Sequence, residues 1–219
     1  MATRELLAEL ANGCGRDLSQ PVVTEAAGGV DIAKRVQAGE AVDIVALASN
    51  VIDKLISEGS LRSGSRVDLV KSGIGIAVRK GATRYDISSE NAVRNAVLAA
   101  KTLSYSTGPS GIYLQQLFER WGILQTIQSR IVIAPPGVPV GSLVASGDCE
   151  LGFQQMSELI NLSGIDVLGP LPDSLQMLTI FSAGISTTSK FPGAARRVLD
   201  YMSSPDTADL KRRLGMEPA

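Results

Sequence analysis

Histidine is absent from this 219-residue chain. Its absence removes Ser-His-Asp and Cys-His nucleophile systems, and zinc sites built on imidazole. Cysteine is nearly absent, with Cys14 and Cys149 as the only two. Two thiols cannot make a four-thiolate site and these follow no metal spacing, so both read as unpaired and no metal is expected. An excess of either charge is also missing: 21 basic and 22 acidic residues leave a net charge of −1. That is no footprint for duplex nucleic acid or an anionic membrane, although local dipoles can still meet a small anion. Long hydrophobic runs are lacking as well. No uncharged stretch is longer than 131–147, which holds three prolines and several glycines, and these defeat a spanning helix. The protein is therefore expected to be peripheral to a membrane at most. The opening MATRELLAEL is charged and amphipathic rather than a signal peptide. A cytoplasmic protein and the trimmed form of an exported one both remain open.

What is present is a globular mix, 44% hydrophobic and 20% charged, of a length that suits one large domain or two small lobes. Short β-like runs alternate with amphipathic helical stripes almost from end to end. Leu6, Leu7, Leu10 and Ala11 form a helical stripe that Gly13 is expected to end. Residues 21–24 read as a strand, and Asp31 as the cap of a helix carrying Ile32, Ala33 and Val36. Residues 43–48 are a continuous apolar run, as in a strand buried on both faces. Asn50 then caps a helix through Ile56. Strands are expected at 67–70 and 73–78, and a helix capped by Ser88 or Ser89 runs through Ala100. Further strands are expected at 102–106, 130–134, 149–154 and 177–182. Helices are expected from Ser110, near 140–145, around 157–160, over 192–202, and over 205–214 with Ser204 as cap. This alternation predicts an α/β fold built on mostly parallel sheets.

In open α/β sheets ligands gather at the carboxyl ends of strands, beside helix starts. Five places qualify. They are Met1 to Thr3, the Gly28-Gly29 pair, the Ser49-Asn50 pair, the stretch from Ser106 through Ser110 to Gly111, and the stretch from Gln154 and Gln155 to Ser157. The fourth is the sharpest. Small residues let backbone N–H groups approach an anion, a helix start carries partial positive charge, and serine hydroxyls add donors. It lacks the Gly-Lys-Ser/Thr ending of a nucleotide P-loop, and no cofactor is expected. Gln154 and Gln155 point to opposite faces of their strand, so one at most faces a ligand while the other satisfies backbone groups. Tyr113 either reaches the same anion with its hydroxyl or packs. Lys71, read as lying between two strands, is a carboxylate partner or an ordinary loop charge.

Several segments carry a family resemblance: GEAVDIVALASNVIDKLISEG, VDLVKSGIGIAVRKG, TLSYSTGPSGIYLQQLFERWGI, VASGDCELGFQQMSEL and the ending VLDYMSSPDTADLKRRLGMEPA. Together they resemble the molybdate-binding-protein-like branch of the type II periplasmic binding proteins. The resemblance implies two α/β lobes with a ligand cleft between them. Lobe one would be discontinuous, 1–84 and 178–219, and lobe two would be 85–177. It implies a first strand upstream of the first helix; this chain starts in the loop after it, so preceding residues are expected. Cys14 and Cys149 would fall on different lobes.

Molybdate binders tend to carry serines in the second loop, where this chain has Ala26, Ala27, Gly28 and Gly29. SYSTGPSGIYL and GFQQMSE instead resemble a subgroup that includes aconitate isomerase. Three functions follow as expectations. The first is a monomeric, periplasmic solute-binding protein that holds a small anion, an organic carboxylate rather than molybdate, and serves an ABC permease. The second is an isomerase of a small unsaturated polycarboxylate, with Tyr113, Lys71, Glu25 and Glu158 as candidate acid–base groups. The third is a ligand-sensing domain.

Overall fold

The computed structural model describes every residue except Met1, Leu18, Gln20 and Pro136. The chain divides into two compact units, one formed by 1–72 with 179–219 and the other by 73–178. The first unit contains α1 (Arg4–Asp17), α2 (Gly29–Gln37), β1 (Ile44–Ala48), α3 (Ser49–Ser57) and β2 (Val67–Ser72). The second contains β3 (Ile74–Arg79), α4 (Glu90–Ala99), β4 (Leu103–Tyr105), α5 (Pro109–Arg120), α6 (Leu124–Ile127), α7 (Val140–Ser146), β5 (Leu151–Gln155), α8 (Met156–Leu159) and β6 (Ile165–Pro170). The chain then completes the first unit with β7 (Thr179–Ile185), α9 (Pro192–Ser203), α10 (Ala208–Arg213) and β8 (Glu217–Pro218). Strand β3 falls inside the 1–84 range expected for lobe one; it is hydrogen-bonded between β5 and β6 of the second unit.

In the first unit the sheet order is β1-β7-β2-β8. The alternation along β1 explains how both its faces are covered. Val45 and Leu47 pack with Val36, Ile52 and Leu55 of α2 and α3. Ile44 and Ala46 face the other cluster, where Leu6, Leu10 and Cys14 of α1 meet Val198, Leu199 and Met202 of α9. Leu6, Leu10 and Cys14 recur every fourth residue, so one helical stripe enters the core. Each such leucine contributes about 2 kcal/mol by leaving water.

The second sheet has the order β4-β5-β3-β6. Its two faces differ in side-chain size. Ile74, Ile76, Val78, Leu103, Leu151 and Phe153 meet Val93 and Val97 of α4 and Leu114, Leu117 and Phe118 of α5. The opposite face carries Gly75, Ala77 and Gly152, and the short helices α7 and α8 come close to it. A Cβ on Gly152 would lie 2.5 Å from Val144, and one on Gly75 would lie 3.1 Å from the Met156 sulfur.

The two sheets flanked by helices confirm the α/β fold, but the sheets are not mostly parallel as alternation suggested. Among the named strands of the described residues only β4 and β5 pair in parallel, beside one isolated parallel bridge between Leu103 and Ile131. Four other ladders are antiparallel because β7 and β3, which follow the points where the chain changes unit, insert between strands of the opposite direction, and β8 pairs antiparallel with β2 at the sheet edge. Other expectations fail for local reasons. Residues 21–24 form no strand, and 130–134 contribute only a bridge at Ile131 and the Val132 N–H to the Leu103 carbonyl. Gly13 does not stop α1. It lies inside the helix and leaves room for the Tyr201 ring, whose hydroxyl donates to Asp17 at 2.8 Å. Asp31 and Asn50 are not caps, since α2 and α3 start from Gly28 and Ala48 without side-chain capping. Ser204 is not a side-chain cap either: a 3-10 turn, Pro205–Thr207, precedes α10. Ser89 is a cap, accepting from the Ala92 N–H at 3.2 Å.

Candidate functional site

Several of the sequence-expected residues fall at helix starts, in each of the two units. In the first unit Thr3 is buried just ahead of α1, and its carbonyl accepts from the Leu7 N–H at 2.9 Å. Met1 lies outside the described residues. Gly28 precedes α2 and Gly29 opens it, and a Cβ on Gly29 would lie 3.6 Å from Leu47 of β1. That contact sets the start of α2 beside the end of β1, where Ser49 begins α3 with Asn50 exposed after it. Glycine at both positions leaves backbone N–H groups as the donors on this loop.

Two first-unit candidates have other surroundings. Lys71 lies within β2, opposite Ile180 on one side and Glu217 on the other, and not in a loop between strands. Glu25 pairs with Arg35 at 2.7 Å with its side chain 72% exposed, and the guanidinium holds its carboxyl below the usual range. A carboxylate so stabilised is a weak proton acceptor.

The second unit brings its candidates together. β4 and β5 run parallel with Tyr105 opposite Phe153, so their carboxyl ends lie side by side. Beyond β4 the chain turns through Ser106 to α5, which has Gly108 as its cap and Pro109 in its first turn. The hydroxyls of Ser106 and Ser110 lie 3.1 Å apart, and Ser110 is 2% exposed. Gly111 packs onto the strand end. A Cβ there would sit 2.6 Å from the Ser106 carbonyl carbon and overlap its oxygen. The sequence thus dictates a tight strand-to-helix turn that carries two hydroxyls at a helix start, a geometry that suits an oxyanion.

Near the end of β5, Gln154 is committed to its own unit. Its Oε1 accepts from the Gly141 N–H at 3.1 Å, and its Nε2 donates to Glu158 at 2.7 Å. Burial pushes the Glu158 carboxyl above its ordinary range. Gln155 is buried and precedes α8 at its N-cap position without a side-chain capping bond. Tyr113 donates its hydroxyl proton to the Leu175 carbonyl at 2.7 Å, so its phenol is engaged within the unit.

One further feature lies in a sequence-expected place, and another was missed by sequence reading. Ser157, in the fifth of the sequence-expected places, has a buried hydroxyl without a hydrogen-bond partner among the described residues. Gln176 binds the backbone of Ile74, a role for which an isolated glutamine in a polar turn gives no signal.

Comparison with known proteins places this chain. A model of the bacterial extracellular solute-binding protein family matches residues 1–217. Aconitate isomerase from Pseudomonas sp is 38% identical over 188 residues, covering 85% of this chain and 71% of that protein. The molybdate-binding protein ModA of Azotobacter vinelandii is 24% identical over 216 residues, covering 94% of this chain and 83% of that one. Among solved structures, the Azotobacter vinelandii periplasmic molybdate-binding protein superposes with a TM-score of 0.80 at 19% identity, over 98% of this chain and 95% of that chain. No helix among the described residues is long and apolar enough to cross a membrane. With the family model spanning nearly all its length and the fold of a periplasmic binding protein shared over 98% of it, the chain belongs to the bacterial extracellular solute-binding proteins.

Proposed function

We propose that this chain is a periplasmic solute-binding protein that takes a small organic carboxylate through the helix starts of its two units and delivers it to an ABC-type importer. The observation that carries the reading is the Ser106–Ser110 hydroxyl pair, set at the start of the 12-residue helix α5 beside the end of β5. A carboxylate oxygen accepts from both hydroxyls and from the Ser110 N–H, since Pro109 has no N–H and the Gly111 and Ile112 N–H groups bond to the Gly108 carbonyl; together these replace hydration on that oxygen. Such replacement must be nearly complete, because an unpaired buried charge costs several kcal/mol.

Two observations favour a carboxylate over molybdate. The Gly28-Gly29 loop offers N–H donors without hydroxyls. The relative at 38% identity is named for aconitate, an unsaturated tricarboxylate. Glycine loops suit planar carboxylates, which need fewer donors per group than a tetrahedral oxyanion.

A second reading, isomerisation of an unsaturated polycarboxylate, is favoured by the same relative and by Glu158. Its carboxyl is held by Gln154 and kept protonatable by burial. Shifting a double bond requires a group that removes a proton beside one carbon and returns it at another. The experiment for both readings is titration with cis-aconitate and with molybdate, followed by proton NMR of bound aconitate over hours. Binding of aconitate without conversion supports transport, conversion supports isomerisation, and binding of molybdate alone overturns both.

A further inference from the structure

We propose that Gln176 is a positioning residue: through Leu175 and Tyr113 it fixes the first turn of α5 relative to Ile74, where the chain enters the second unit. The reason starts with proline. β3 and β6 pair as far as Gly75 and Pro170, and the Leu171 N–H then donates to the Ile74 carbonyl at 2.9 Å. Pro172 has no N–H and cannot continue a ladder. The side-chain amide of Gln176 fills the gap. Its Oε1 accepts from the Ile74 N–H at 2.7 Å, and its Nε2 donates to the Ile74 carbonyl at 3.1 Å and the Leu171 carbonyl at 3.4 Å. One amide thus supplies both the donor and the acceptor that a missing strand residue would have offered. Gly73 makes the approach possible, since a Cβ there would fall 2.9 Å from the Gln176 amide carbon.

The same turn is tied to the anion-binding helix. Leu175, fully buried and adjacent to Gln176, accepts the Tyr113 hydroxyl at 2.7 Å. Tyr113 follows Gly111 and Ile112 in the first turns of α5, where the Gly111 and Ile112 N–H groups bond to the Gly108 carbonyl. On the other side the Met156 N–H, at the start of α8, donates to the Gly73 carbonyl at 2.8 Å. Hydrogen bonds joined by the Leu175–Gln176 and Gly73–Ile74 peptide links therefore run from α5 through Tyr113, Leu175 and Gln176 to Ile74, and from Gly73 to α8. The unit boundary falls at 72/73. A ligand that pulls on α5 would pull on the residues at which the chain changes unit. This consequence rests on the proposed function for the identity of the Ser106–Ser110 pair as a ligand contact. The hydrogen-bonded set itself does not.

The test is amide hydrogen exchange on the full chain without ligand, comparing Gln176→Leu and Tyr113→Phe with wild type. Gln176→Leu should speed exchange at Gly111 and Ile112 about fivefold, the effect of one hydrogen bond of about 1 kcal/mol, although neither residue touches Gln176. Tyr113→Phe should speed Ile74 by a similar factor. Val97, buried in α4, should exchange as in wild type in both. Two results overturn the proposal: acceleration confined to the residue that lost its partner, or acceleration of Val97 along with the rest, which marks a general loss of stability. If Gln176→Leu does not fold, Tyr113→Phe decides alone by the same criterion. No ligand enters the experiment, so its failure is separate from failure to bind aconitate.

Discussion

Gly111 lies against the carbonyl of Ser106 so closely that a Cβ at position 111 would overlap the carbonyl oxygen. The contact is backbone to backbone, so no rotamer change relieves it. Gly111→Ala is expected to destabilise the protein by about 3 kcal/mol, the upper part of the range for overpacking. The melting temperature should fall by about 6–12 °C. Gly108→Ala, where the nearest atom is the Ser106 hydroxyl at 3.6 Å, should cost far less. Equal losses in the two variants would refute the close approach.

Lys211 is 1% exposed on α10 and has no ion pair among the described residues, and burial lowers its pKa from 10.5. The folded state thus resists the charge that the unfolded chain carries freely. Its penalty is full below the folded pKa and vanishes above 10.5. Lys211→Met should raise the melting temperature at pH 7 by a few degrees, for a gain of about 1 kcal/mol. Calorimetry at pH 7 and at pH 10.5 checks it, since the gain should shrink at the higher pH.

Glu158 behaves as an acid in the opposite sense. Burial raises its pKa above 4.5, so the folded state holds the proton more tightly than the unfolded chain. The stability this contributes is complete below about pH 4.5 and is lost as the pH rises through the folded pKa. Glu158→Gln keeps the shape without the charge. It should melt higher than wild type at pH 8 and level with it at pH 4. A variant less stable at pH 8 would show that the ionised carboxylate is what the fold prefers.

Cys14 and Cys149 are both fully buried and unpaired. Burial pushes the Cys149 thiol up to about 12, and the Cys14 thiol rises for the same cause. Thiolate is the reactive form, so both should be silent to Ellman's reagent in the native protein and should titrate as two thiols in guanidinium. Fast reaction of either in buffer would contradict their burial.

Much of the fold is legible in local pattern. The run ending at Ala48 is a strand covered on both faces because its odd and even residues meet different helices. The turn at Ser106 to Gly111 is legible because small residues and a proline leave few alternatives. Strand direction is not legible: β7 and β3 owe their places to partners far away in the chain. β6 is hidden because Asp166, Gly169 and Pro170 break its apolar run. Gln176 is hidden because its partners at Ile74 and Leu171 belong to another strand and another turn. Glu25 and Tyr113 carry suitable chemistry, but their partners, Arg35 and Leu175, decide what they do.

The most direct test of the central claim is a thermal-shift comparison of cis-aconitate and tricarballylate against molybdate and sulfate, in wild type and in Ser110→Ala. A ligand at about 100 times its Kd adds roughly 2.7 kcal/mol. In a protein of this size the melting temperature should rise by about 5–10 °C. The account expects that rise with the carboxylates, its loss in Ser110→Ala, and no response to molybdate. A rise with molybdate alone, or a carboxylate response untouched by Ser110→Ala, would contradict it.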